Sequence, residues 1–148
     1  MFQLHHIGYL VKDMAVSAAS FADRFGYAIE SDVIEDPRQT AMVQFLRQPG
    51  ALHWLELVTP TGPGSKLYHA LAKGEGLHHL CYEVPSLEAA GQQLRQQQML
   101  PLGKAQPATA FPGRSIAWYM DRSSQLIELV EAGNGALSLA NLRVAERT

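Results

Sequence analysis

The chain has 148 residues, 47% hydrophobic and 18% charged, a composition that suits one domain with a real core and leaves little room for a second. Twelve basic against fourteen acidic residues give a formal net charge of -2 with no Lys/Arg run, so the electrostatic footprint of a nucleic-acid binder is missing and the expected partner is a small molecule or another protein. The single cysteine, Cys81, excludes an intrachain disulfide; with no basic and apolar leader in MFQLHHIGYL and no apolar run near the ~20 residues of a membrane span, the expectation is a soluble, cytoplasmic protein.

In chain order, Leu4 to Val11 reads as a strand. Asp13 is a fitting N-cap for a helix through Val16, Ala19, Phe21 and Phe25 that stops at Gly26. Three strand candidates follow, Tyr27 to Ile34, Thr40 to Arg47 and Leu52 to Thr59, with turns at Asp36-Pro37 and Pro49-Gly50. Thr61-Gly62-Pro63-Gly64 is a linker, and Ser65 to Lys73 a short helix closed by Gly74. Leu77 to Val84 is the next strand, Ser86 caps a helix through Leu87, Ala90 and Leu94 that ends within Gln96-Gln97-Gln98, and three strands follow at Met99 to Ala105, Arg114 to Asp121 and Gln125 to Glu131. Residues 132–148 lie beyond this pattern and read as a short helix against a partner subunit or a frayed tail.

The order strand, helix, strand, strand, strand therefore occurs twice, each time opening on LHH, with His6 and His79 73 residues apart (79 − 6). The last strands repeat too, as Leu55-Glu56-Leu57-Val58 and Ile127-Glu128-Leu129-Val130. From His6 to Glu56 is 50 residues (56 − 6), and from His79 to Glu128 is 49 (128 − 79).

Side chains alternate along a strand, so the apolar positions mark the face packed on the helix. Ile7, Tyr9 and Val11, and in the second copy Leu80, Tyr82 and Val84, form that set, which sends His6 and His79 to the opposite face. Leu55 with Leu57, and Ile127 with Leu129, do the same for Glu56 and Glu128. A carboxylate in the middle of an apolar strand is costly unless solvated, paired or bound to a cation. If the two sheets form a cup, two neutral imidazoles and two carboxylates converge, a set suited to one divalent ion of the Zn, Ni, Co, Mn or Fe type better than to Ca. His5 and His78 fall on the helix side by alternation and are read as strand-end residues able to orient their neighbours; His53 and His69 have no repeat partner and read as surface residues.

At these residues the sequence resembles the vicinal oxygen chelate superfamily, whose members include glyoxalase I, extradiol dioxygenases and fosfomycin-resistance proteins, and within it the methylmalonyl-CoA epimerases. HHIGYLVKD, LELVTP, SKLYHALAKGEGLHHLCYEV and LIELVE carry the likeness over about residues 4 to 131. The resemblance implies an α+β fold of two tandem βαβββ modules, residues 4–59 and 76–131 joined by 60–75, forming one cupped eight-stranded mixed sheet with helices outside, a single domain over 1–131. It implies the ligands His6, Glu56, His79 and Glu128 around one divalent ion per chain, and a homodimer.

The activity it implies is proton transfer beside a carbonyl through a metal-stabilised enolate, with Glu128 the first candidate for the base and Glu56 the second, on an acyl-CoA or other acyl substrate. On the third strand, where some epimerases have a second acidic residue, this chain has Gln44, a candidate for contacting substrate but not for taking its proton. Loop Gln106 to Arg114 suits a lid, with Arg114 placed to meet a substrate phosphate or carboxylate and Trp118 to line the cavity. A glyoxalase I-like lyase has the same ligand set, and a resistance protein that sequesters its ligand has the same fold; an extradiol dioxygenase would use three protein ligands rather than four.

Overall fold

The computed structural model of the chain describes residues 1–146. Its elements are β1 (Gln3–Leu10), α1 (Met14–Phe25), β2 (Ala28–Ile29), β3 (Ile34–Asp36), β4 (Ala41–Arg47), β5 (Trp54–Pro60), α2 (Tyr68–Ala72), β6 (Gly76–Val84), α3 (Leu87–Gln96), β7 (Leu100–Pro101), β8 (Gln106–Pro107), β9 (Ser115–Met120), β10 (Leu126–Glu131) and α4 (Leu139–Glu146). The class is α+β with strands paired in both senses, and none of the described helices is long and apolar enough to cross a membrane.

Ten strands stand where eight are expected among the described residues, because the second strand of each copy is broken in two. In the first copy the Ser31 hydroxyl accepts the Phe45 N–H at 2.9 Å, taking the place of a strand carbonyl between β2 and β3. In the second, Gly103 turns the chain between β7 and β8 with φ 90°, a left-handed conformation that only glycine adopts without strain.

The chain packs as two compact units, residues 7–78 and residues 1–6 with His79 onward. This follows the repeat with one exchange: the first six residues pack with the second copy. The divisions fall at His6/Ile7 and His78/His79, inside both histidine-bearing strands.

In the unit of residues 7–78, β4 lies antiparallel to β5, with β2 and β3 paired to opposite ends of β4. Asp13 caps α1 by accepting from Val16 N at 3.0 Å, and Gly26 closes it at φ 74° with its N–H on Ala22 O. The apolar face of α1 lies on Ile7, Tyr9, Val11, Leu55 and Leu57, which alternation assigns to the helix side, and on Leu46 of β4. Leu57 is fully buried, which contributes roughly 1.5–3 kcal/mol.

In the other unit β10 runs parallel to β6 and antiparallel to β9, which also carries β7 and β8. Ser86 caps α3 by accepting from Ala89 N at 3.1 Å, and without a glycine stop the chain turns at Gln98, φ 65°. Beneath α3 lie Tyr82, Val84, Ile127 and Leu129, which alternation selects, together with Ala117 and Tyr119, while Leu80, expected on the same face, is half-buried. The segment beyond the repeat is folded: Ser138 Oγ accepts from Ala140 N at the start of α4, and Leu139 and Leu142 are buried. Of the stretch read as a helix or frayed tail, 147–148 lie outside the described residues.

Candidate metal centre

On the face of β6 and β10 turned away from α3, the register sets Leu126 beside His79, Glu128 beside Cys81 and Val130 beside Glu83; across β9, Trp118 pairs with Glu128. His79, Glu83 and Glu128 are nearly inaccessible, and Cys81 is fully buried. The first residues of β1 bring His6 to them. Its Nε2 is 3.0 Å from His79 Nε2 and 3.6 Å from Glu128 Oε1, and the two imidazoles meet edge to face with centroids 5.1 Å apart.

Behind His6 stands His5. Alternation predicts that neighbours on a strand point apart, yet the two Nδ1 atoms lie 2.8 Å from each other and both rings are fully buried. Two features outside the strand hold His5 there: its Nε2 donates to the Leu137 carbonyl at 2.7 Å, and its ring packs edge to face on Phe111 at 5.0 Å. Desolvation holds His5 at a pKa of about 4, against an ordinary 6.5, with the Leu137 hydrogen bond opposing the shift and the charge of Arg114 adding to it. His6 is pushed well below the usual histidine range by burial and then by His5 and His79. Both rings are therefore neutral near pH 7, the state in which imidazole can ligate a metal.

The donor set fits a divalent ion. Two ligand atoms each about 2.1 Å from an ion stand about 3.0 Å apart at a right angle and about 3.6 Å apart near 118°. The separations from His6 Nε2 to His79 and to Glu128 match these values. Neutral nitrogen donors with a carboxylate suit a first-row ion rather than an all-oxygen calcium site.

Glu56, in the other unit, is buried at 6% exposure in the middle of β5 opposite Phe45, on the side of the strand away from α1. Gln44 pairs with Leu57, so it lies on the α1-packed face rather than that of Glu56, and its Nε2 donates to Ser31 O at 3.0 Å. Trp118 stands against His79, ring centroids 4.9 Å apart. Arg114, expected to reach for substrate from a lid, is only 6% exposed; Nη2 donates to the carbonyls of Leu137 and Ala136 at 3.0 and 3.3 Å, Nη1 is 3.8 Å from Glu83 Oε2, and the guanidinium lies over Phe111. Its loop is closed on itself by Ala108 N to Arg114 O and Arg114 N to Phe111 O, with Phe111 buried, so it forms a packed wall. Among the remaining histidines His69 is exposed, while His53 and His78 are half-buried.

Glu83 and Phe111 carry no role in the sequence pattern, and the tail, expected as a helix on a partner subunit or a frayed end, packs on this face instead. Glu83 accepts from Leu139 N at 3.4 Å and faces Arg114, joining the tail to β6. Its signal was present, since residues 79, 81 and 83 alternate onto one face. Leu137 acts through a backbone carbonyl, which leaves no mark in a sequence.

Comparison with known proteins agrees with this geometry. The chain is 28% identical over 131 residues to the ethylmalonyl-CoA/methylmalonyl-CoA epimerase of Cereibacter sphaeroides, covering 86% of this chain and 96% of that one. It is 27% identical over 134 residues to the mitochondrial methylmalonyl-CoA epimerase of Homo sapiens, covering 88% and 74%. The crystal structure of methylmalonyl-CoA epimerase from Mycobacterium tuberculosis superimposes with a TM-score of 0.79 at 27% identity, over 88% of each chain. The sequence profile that matches residues 5–118 covers both histidine doublets and Glu56, and by it the chain belongs to the Glyoxalase/Bleomycin resistance protein/Dioxygenase superfamily.

Proposed function

We propose that the chain is a divalent-metal-dependent epimerase that moves the proton α to the carbonyl of a small acyl compound, with a methylmalonyl-CoA-like thioester as first candidate. The observation that carries this reading is that two buried donors, His79 Nε2 and Glu128 Oε1, stand 3.0 and 3.6 Å from the buried His6 Nε2, each close enough to share an ion with it. Similarity to the Cereibacter epimerase over almost its whole length supports the substrate class. Glu56 is proposed as the fourth ligand from its equivalence to Glu128, each buried in mid-strand between two apolar residues.

The ion, one per chain and of the Co, Ni, Mn, Zn or Fe type, supplies Lewis-acid polarisation of the substrate carbonyl, worth several kcal/mol. Glu128 takes the α-proton and Glu56 is the second candidate for that work. Trp118, which stands against His79 and pairs with Glu128, flanks the acyl group; Gln44 and Arg114, both engaged with backbone carbonyls, hold the fold. A cytoplasmic homodimer belongs to the same reading, with exposed Val16, Phe25 and Ile29 as apolar surface in its favour.

The test is proton exchange. Protein loaded with Co²⁺ and given methylmalonyl-CoA in D₂O is expected to replace the α-hydrogen with deuterium, seen as loss of its NMR signal, and a chelator is expected to stop it. Turnover of the hemithioacetal of methylglyoxal and glutathione, without exchange of the thioester, would reassign the chain as a glyoxalase-like lyase. Tight ligand binding by metal-free protein with no exchange would make it a sequestering protein.

A further inference from the structure

We infer that His5 is a positioning residue that fixes the tautomer of His6, so that the Nε2 lone pair of His6 is aimed at the ion before any ion arrives. The inference rests on the metal reading above, and it follows from a chain of three groups. The Leu137 carbonyl can only accept a hydrogen bond, so the His5 nitrogen 2.7 Å from it, Nε2, carries a hydrogen. A neutral imidazole has one N–H, which leaves His5 Nδ1 bare. That bare nitrogen is 2.8 Å from His6 Nδ1, which must then be the donor. His6 in turn is left with its lone pair on Nε2, the atom facing His79 and Glu128.

The relay ends at His6, whose Nε2 lone pair faces His79 Nε2 at 3.0 Å and Glu128 Oε1 at 3.6 Å, so His6 is set for an ion in advance. The start of the relay is well anchored. Leu137 holds a left-handed φ of 57°, its carbonyl also accepts from Arg114, and Arg114 lies so close to Gly133 that a Cβ there would stand 2.5 Å from Arg114 Cδ. The tail beyond the repeat is in this way part of the site. Partners of this kind behind a metal-bound histidine fix its orientation, and losing one typically weakens the metal by about 10- to 100-fold.

Two readouts test the inference. Long-range ¹⁵N–¹H NMR on metal-free protein at pH 7.5 is expected to show His6 as the Nδ1–H tautomer; His6 protonated on Nε2 would overturn it. Co²⁺ affinity, measured by competition with a chromophoric chelator, is expected to fall about 10- to 100-fold in His5→Phe, which keeps the ring packing on Phe111 but removes the acceptor. His5→Asn, whose Oδ1 sits near the position of Nδ1 and can accept from His6, is expected to recover most of that loss. Affinity within about twofold of wild type in His5→Phe, or His5→Asn as weak as His5→Phe, would count against the relay. If His5→Phe does not fold, the wild-type tautomer decides alone. Wild-type protein that takes up no Co²⁺ sinks the metal reading, while the NMR result, which needs no ion, still decides the relay.

Discussion

The two histidine doublets begin with the same three letters and end in different states. His5 and His6 are both fully buried and bonded to each other, whereas in the second doublet only His79 is buried and His78 stays half-exposed. Nothing within LHHI and LHHL accounts for this. The difference comes with Phe111 and Leu137, which belong to a loop and a tail and hold His5 of the first doublet. A repeat thus supplies equivalent positions, and unrepeated segments packed on one copy make them unequal.

The largest effect that could break this comparison is at the shared position. His6→Ala and His79→Ala should each weaken Co²⁺ by more than about 100-fold, the upper end of what loss of an outer partner costs, whereas His78→Ala should stay within about twofold. Metal content of the purified variants with thermal shifts on adding Co²⁺ checks this, and a strong His78 phenotype would mean that the doublets are equivalent after all.

Next in size is the proton transfer. Glu128→Gln should slow α-hydrogen exchange by about 100- to 10,000-fold while retaining substrate binding, with metal occupancy measured alongside. Glu56→Gln in the same assay ranks the carboxylates of the two copies, and a greater loss at Glu56 would exchange their roles.

Acid sharpens the comparison at His5. Its pKa is about 4 in the fold and about 6.5 in the unfolded chain, so between those values the unfolded state binds the extra proton. The stabilisation is complete above pH 6.5, falls as the pH drops and is gone near pH 4, a loss of roughly 3 kcal/mol in metal-free protein. His6 pulls in the same direction. Urea unfolding between pH 7 and 4.5 should show this slope flattened more by His5→Asn than by His78→Asn.

The smallest expected effect lies where the copies do match. Asp13→Ala and Ser86→Ala each remove one N-cap hydrogen bond of similar length, and each should cost about 1 kcal/mol in chemical denaturation. A difference of more than about 1 kcal/mol between them would show that the copies diverge in their helices as well.

Most of what positions the candidate ligands was legible from alternation. Tyr9, Val11, Leu55 and Leu57 in one unit and Tyr82, Val84, Ile127 and Leu129 in the other pack beneath their helices, so His6, His79, Glu56 and Glu128 leave that face. Both N-caps and the glycine stop of α1 were also visible, because capping is a local interaction. The orientation of His5 was misjudged because a carbonyl 132 residues away decides it. Arg114 looked like a substrate arm because sequence shows a charge in a Pro/Gly loop but not the carbonyls of Ala136 and Leu137 that engage it. Gln44 was placed by proximity in sequence to a family position, and its pairing with Leu57 sets it on the other face.

The broken second strands bear on how the protein behaves at high concentration. Ala28–Ile29 and Leu100–Pro101 are outermost in their units, solvent-exposed and only two residues long. An unpaired strand edge is a template for pairing with other chains, and long, flat, apolar edges seed aggregation. Here exposed Ile29 and Leu100 would be hazardous in a longer strand, but a two-residue segment fixes no register, and Pro101, like Pro107 in β8, offers no N–H. Interrupting the second strand thus blocks runaway sheet growth, and any self-association is left to side chains rather than to shared backbone ladders.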